Sequence, residues 1–166
     1  MALIDALLPE FDHEMGTTRR LLERVPDGCL AWKPHQKSMS LGRLATHVAE
    51  ISHWGELILK ETELDIAGPY TPREEMSTGA ILALFDQTTG ALRAALASRS
   101  DAELVAPWTF KAGGKVVLTM PRAAMLRSMV FSHLVHHRGQ LSVYLRLQNV
   151  PLPPIYGPSA DEEAKA

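Results

Sequence analysis

The sequence predicts an all-α protein: a four-helix bundle with a short β-hairpin-like insertion between its third and fourth helices. Two observations predict it. Four segments space their apolar residues by three and four, the period of an amphipathic helix with one buried face. The one stretch that breaks this period, residues 104–119, instead carries a Gly-Gly pair between two short runs suited to strands.

The first helix is expected over 3–25, with Ile4, Leu7, Leu8, Phe11, Met15, Thr18 and Leu22 on one stripe. Pro9 either bends this helix or marks a late start. "PDG" at 26–28 ends it with turn chemistry. Residues 29–39 form a loop, with Trp32 and Pro34 as packing points. Ser40 is placed to cap a second helix over 41–60, accepting from a backbone N–H of the first turn. A loop over 61–77 follows, broken by Gly68, Pro69 and Pro72. A third helix, 78–98, carries the stripe Ile81, Leu84, Phe85, Thr88, Leu92 and Leu96. "WTFKAGGKVVLT" (108–119) then reads as a hairpin turning at Gly113-Gly114. Pro121 sits at the first position of a long fourth helix running to about Gln148. One domain is expected over 1–157, followed by a polar tail over 158–166 that frays at its end.

Composition narrows the function. The chain has 166 residues, 46% of them hydrophobic, enough for one core without covalent staples. A net charge of -2 offers no field to hold a polyanion, which argues against nucleic acid as a partner. No apolar run approaches the roughly 20 residues of a membrane span. The N-terminus carries acids and no basic n-region, so it does not read as a secretion signal. Cys29 is the single cysteine, which rules out an intramolecular disulfide and suits a reducing compartment. A cytoplasmic protein is expected. Cys29 has no activating motif beside it and reads as an incidental or packing thiol. P-loop, G-x-G-x-x-G and G-x-S-x-G patterns are absent.

The chemistry gathers at "FSHLVHHRGQL" (131–141), three of the seven histidines within five positions. Each helical residue advances by about 100°. Leu126, Val130, His133, His137, Leu141 and Tyr144 therefore share one inward stripe, and His136 turns to a flank. On the second helix His47 lies on the stripe with Leu44, Val48, Ile51 and Ile58, whereas His53 faces Glu50 and Glu56 at an edge. Three inward imidazoles would repel one another and lose hydration if charged. A divalent ion collects their three lone pairs at one point. Two histidines four apart is the spacing by which metalloprotease helices hold zinc, and a third from a facing helix leaves a fourth position open. The alternative is a set of core histidines, each bonded to a carbonyl or carboxylate.

Neighbouring residues stay open between roles. Gln140 either bonds a ligand N–H or a metal-bound water, or packs between helices. Glu50 either orients a ligand histidine or is an exposed carboxylate. His136 either lies behind the metal or substrate or is a flank residue. Arg138 faces away from the ligand stripe and reads as a salt-bridge or dimer contact. Trp32, Trp54 and Trp108 read as packing residues, with Trp54 and Trp108 alternatively walling a pocket mouth.

"WKPHQKSMSLGRLATHVAEISHW" (32–54) and "HLVHHRGQLSVYLRLQNVPLPPIYGPSADE" (133–162) together resemble the DinB-like (DinB/YfiT-type) family over nearly the whole chain. The resemblance implies an up-down-down-up bundle, commonly a homodimer, with a divalent metal, zinc or nickel, on the positions that match His47, His133 and His137. It also implies a small-molecule substrate and leans toward thiol-dependent transfer with a low-molecular-weight thiol. Metal-assisted hydrolysis, or a non-catalytic metal- or ligand-binding stress-response bundle, stays open beside it.

Overall fold

The computed structural model describes residues 2–68 and 71–161. The loop break assigned to Pro69 and the expected frayed end, 162–166, lie outside them. The protein is mostly helical, with one small sheet. Helix α1 spans Leu3–Leu22, α2 Leu41–Lys60 and α3 Thr78–Ala97. A short α4 spans Asp101–Val105. Helix α5, Arg122–Leu126, continues through a π-helical turn, Arg127–Ser132, into α6, His133–Leu147. None of the described helices is long and apolar enough to cross a membrane.

The expected helix boundaries have visible physical causes. The Ser40 hydroxyl accepts from the Arg43 N–H at 2.9 Å, capping α2. Ser77 does the same for α3 through the Ala80 N–H, at 3.2 Å. Helix α1 starts at Leu3 and runs through Pro9, so Pro9 does not mark a late start. It ends at Leu22, three residues earlier than expected.

Three departures from the sequence expectation bear on the site. Residues 61–77 are not all loop: Glu63–Asp65 form strand β1, which pairs in parallel with β2. The hairpin strands are β2, Pro107–Ala112, and β3, Lys115–Pro121, antiparallel with Trp108 opposite Met120. They turn where expected. Gly113 (φ 57°) and Gly114 (φ 79°) occupy the left-handed region that tight hairpin turns demand. The Asp65 carboxylate accepts from the Gly114 N–H at 2.7 Å, and this tie carries β1 into the sheet. Second, Pro121 ends β3 and caps the long helix from outside, rather than standing at its first position. Third, the π turn adds a residue to the expected uninterrupted helix just before His133.

The core lies between the long helices. Phe11 of α1 packs edge-on against Phe131 of the π turn, ring centroids 6.2 Å apart. Leu44 and Ile51 of α2, Ile81 and Phe85 of α3, and Leu134 and Leu141 of α6 are buried with them. Trp108 is buried in this core and does not border an opening; Trp32 packs edge-on against Tyr144. Cys29 is half-buried against the same core.

Helices α2 and α3 approach closely at Gly55. A Cβ there would stand 2.5 Å from Leu92 Cδ2 and 3.0 Å from Val130 Cγ2. Gly90 is also mid-helix, yet a Cβ there meets nothing within 4 Å. Gly90→Ala is therefore expected to stabilise the protein by up to about 1 kcal/mol through helix propensity. Gly55→Ala gains the same propensity but overpacks a tight contact, at a cost of about 1–3 kcal/mol. Denaturant unfolding should move the two variants in opposite directions.

Candidate metal centre

Two helices build the site. His47 lies on the inner face of α2; His133 and His137 lie one turn apart on α6. His133 Nε2 stands 3.2 Å from His47 Nε2 and 2.9 Å from His137 Nε2. The three rings meet edge to face or tilted, with centroids 4.5 to 5.0 Å apart. Among the described residues they form a group able to hold a metal ion.

What lies behind each ring decides what its front can do. His47 Nδ1 lies 3.0 Å from Glu50 Oε1, and the same oxygen accepts from Arg43 Nη2 at 2.9 Å. His137 Nδ1 lies 2.7 Å from Gln140 Oε1. His133 hydrogen-bonds the backbone carbonyl of Met129, within the π turn. Each of these partners is an oxygen acceptor. Each ring thus donates its N–H outward and turns the lone pair of Nε2 inward. Three lone pairs then face one another at close range without a donor between them. A cation at their centre would resolve that repulsion.

The spacing fits a small divalent ion. Nitrogen donors 2.0–2.1 Å from a four-coordinate ion stand roughly 3.3 Å apart. The two Nε2 separations around His133 are close to that value. The outer acceptors match the arrangement that fixes ring tautomer and orientation at metal sites.

Electrostatics favour the neutral form of His133 and His137. Burial pushes the His137 pKa down to about 4, assisted by the neighbouring His47 and His133, against the opposing effect of the hydrogen bond it donates to Gln140 Oε1. Burial and the adjacent His47 also lower that of His133. Burial alone would raise the Glu50 carboxyl, but the hydrogen bonds and charges of His47 and Arg43 hold it below its ordinary value. In the metal-free protein His137 is therefore expected to titrate near pH 4, read from its ring resonances by NMR; a midpoint at or above about 6 would contradict the burial argument. The sign for stability follows. Between the folded value and the unfolded value of about 6.5, the unfolded chain binds more protons. The stability from a neutral His137 is whole above pH ~6.5 and is lost as pH falls toward ~4, by up to about 3 kcal/mol.

The other candidates separate cleanly. His53 is exposed, 3.6 Å from Glu56, and far from the cluster in role. His136 is exposed on the flank, its ring edge-on to His137 at 4.7 Å between centroids. Glu50 is not an exposed carboxylate: it is largely buried and braces His47 from behind. Gln140 braces His137. Arg138 does face away from the cluster, and it makes a salt bridge, but in the interior: it is 1% exposed and lies 2.6 Å from Glu14.

Sequence reading missed Arg43 and Met129. Arg43 sits four residues before His47 and seven before Glu50, on the same helical face, so its spacing could have flagged it. Met129 acts through its backbone, and its side-chain identity carries no signal of that.

Known proteins place the chain. Residues 2–165 match the model of the DinB family. The chain is 28% identical over 165 residues to YrdA of Bacillus subtilis (strain 168), a protein described as uncharacterized, covering 98% of this chain and 93% of that protein. Two solved structures share the fold. A DinB-like protein from Bacillus cereus ATCC 10987 superposes with a TM-score of 0.74 at 22% identity, covering 93% of this chain and 98% of that one. The DinB-like protein YjoA from Bacillus subtilis superposes with a TM-score of 0.69 at 21% identity, covering 90% and 96%. With the match running over practically its whole length, this chain belongs to the DinB family.

Proposed function

We propose that this protein is a divalent-metal-dependent enzyme acting on a small electrophilic molecule, with His47, His133 and His137 as ligands and zinc or nickel as the metal. We read its long helices as an up-down-down-up bundle that holds these ligands on facing helices. The observation that carries the proposal is the inward convergence of three Nε2 lone pairs, each ring's other nitrogen being held by an oxygen acceptor.

A divalent ion with an open position lowers the pKa of a bound water or thiol and so supplies a nucleophile near neutral pH. The chain's own residues prepare for that. Glu50 and Gln140 hold the His47 and His137 rings in one tautomer; Met129 does so for His133 through its carbonyl. Arg43 keeps Glu50 ionised and aimed at His47. Thiol transfer is the favoured reaction and hydrolysis the second. A closed, non-catalytic site would call for a fourth protein ligand. The Glu50 carboxylate does not supply one, since it stands at the Nδ1 edge of His47, away from the converging Nε2 atoms.

The test is turnover of an electrophile panel by zinc- and nickel-loaded protein, with and without low-molecular-weight thiols. Thiol-dependent turnover that disappears on chelation is expected. Loaded protein that turns over no substrate under any of these conditions would favour a metal-binding bundle without catalysis. Glu50→Gln keeps the hydrogen bond but removes the charge behind His47. It is expected to weaken metal binding about 10–100-fold, measured by chelator competition.

A further inference from the structure

A cavity of about 400 Å³ opens beside the histidine cluster, with His47 and His133 on its inner side. That size lies at the low end of small-molecule pockets. Its walls are the side chains of Met39, Trp54, Ile66 and Met129. Methionine and tryptophan offer polarizable, adaptable surface suited to a flat or aliphatic group. Arg43 is the one charged residue among the described lining residues, and Glu50 pairs with it at 2.9 Å. The Arg43 charge is thus already met by a carboxylate of the protein. A ligand bearing several charges would lose hydration here and find apolar walls in exchange.

We infer that this cavity selects a compact ligand with an uncharged, apolar or aromatic body and a single small reactive group directed at the histidines. The inference rests on the proposed metalloenzyme reading for the identity of the reactive end, but the body's chemistry follows from the walls alone. Burial of an apolar body against Met39, Trp54 and Met129 supplies the affinity, and the histidine side fixes the orientation.

The methionines report on this directly. Met39 and Met129 line the cavity, whereas Met15 and Met125 are buried in the core elsewhere. The protein labelled at its methionine methyl groups is titrated with benzyl mercaptan and, separately, with glutathione, in zinc-free and zinc-loaded forms. Benzyl mercaptan is expected to shift Met39 and Met129 saturably in both forms, with Met15 and Met125 unmoved. Glutathione at the same concentrations leaves all four in place in the zinc-free form. Met39→Asp puts a carboxylate against the apolar body and is expected to weaken the benzyl mercaptan effect at Met129 by about tenfold. Unmoved Met39 and Met129 methyls with benzyl mercaptan in both forms, or equal shifts with glutathione in the zinc-free form, would overturn the inference. Failure to take up zinc defeats the metal reading instead, and the zinc-free titration still decides the cavity.

Discussion

His133→Ala is expected to abolish stoichiometric metal binding while leaving a folded protein. His133 Nε2 stands within 3.2 Å of both other ring nitrogens, so its loss leaves His47 and His137 without their shared neighbour. Two remaining nitrogens on separate helices form an incomplete donor set, and the loss should exceed the 10–100-fold of an outer acceptor such as Glu50. The metal-free fold should tolerate the change. His133 is only partly buried, and removing its imidazole also removes lone-pair repulsion. Circular dichroism should therefore show unchanged helicity while chelator competition shows lost affinity. Wild-type affinity in His133→Ala would mean that the converging rings are packing residues.

Arg138→Ala is expected to destabilise the protein by about 3–5 kcal/mol, the cost of leaving a buried charge without its partner. Arg138 is 1% exposed. Its guanidinium lies 2.6 Å from the Glu14 carboxylate and donates at 3.1 Å to both the Glu14 carbonyl and the Thr18 hydroxyl. It also donates to the Tyr156 hydroxyl and lies over that ring, 4.9 Å from its centroid. Tyr156 in turn donates to Glu14 at 2.9 Å. Burial and this bond to Glu14 raise the Tyr156 phenol above its ordinary pKa. The network joins α1, α6 and the segment after α6, so its loss reaches three parts of the fold. Removing Glu14 with it should be far milder: Arg138→Leu with Glu14→Leu replaces the pair by apolar volume, which is often neutral. Urea unfolding of the single and double variants checks this. A double variant as damaged as Arg138→Ala would show that the charges themselves, rather than an orphaned carboxylate, hold the segments together.

The helical spacing made part of this site legible. Three- and four-residue steps selected His47, His133 and His137 as inward and turned His53 and His136 outward, and the structure brings those three rings together. The spacing worked because burial follows helical phase, and phase is written in the apolar residues. It failed where phase itself changes. The π turn over "RSMVFS" (127–132) is a change of backbone hydrogen-bond pattern that no residue type there announces. Strand β1 was hidden for a similar reason: three residues held by long-range pairing to Thr109, Phe110 and Lys111 have no local period. The hairpin was readable because Gly113-Gly114 supplies a backbone conformation that other residues resist. Arg138 was harder. A salt bridge or dimer contact was readable from its helical phase, but only the fold brings Glu14 and Tyr156, 124 and 18 positions away, to meet it in the interior.

The central claim is that three converging histidines hold one divalent ion. Protein purified without a histidine tag, stripped with chelator and titrated with zinc, tests it most directly when run beside His47→Ala, His133→Ala, His137→Ala and His53→Ala. One zinc per chain is expected in wild type and in His53→Ala, with the other three variants losing it. Stripped wild type that takes up neither zinc nor nickel, or equal uptake by all four variants, would contradict the claim.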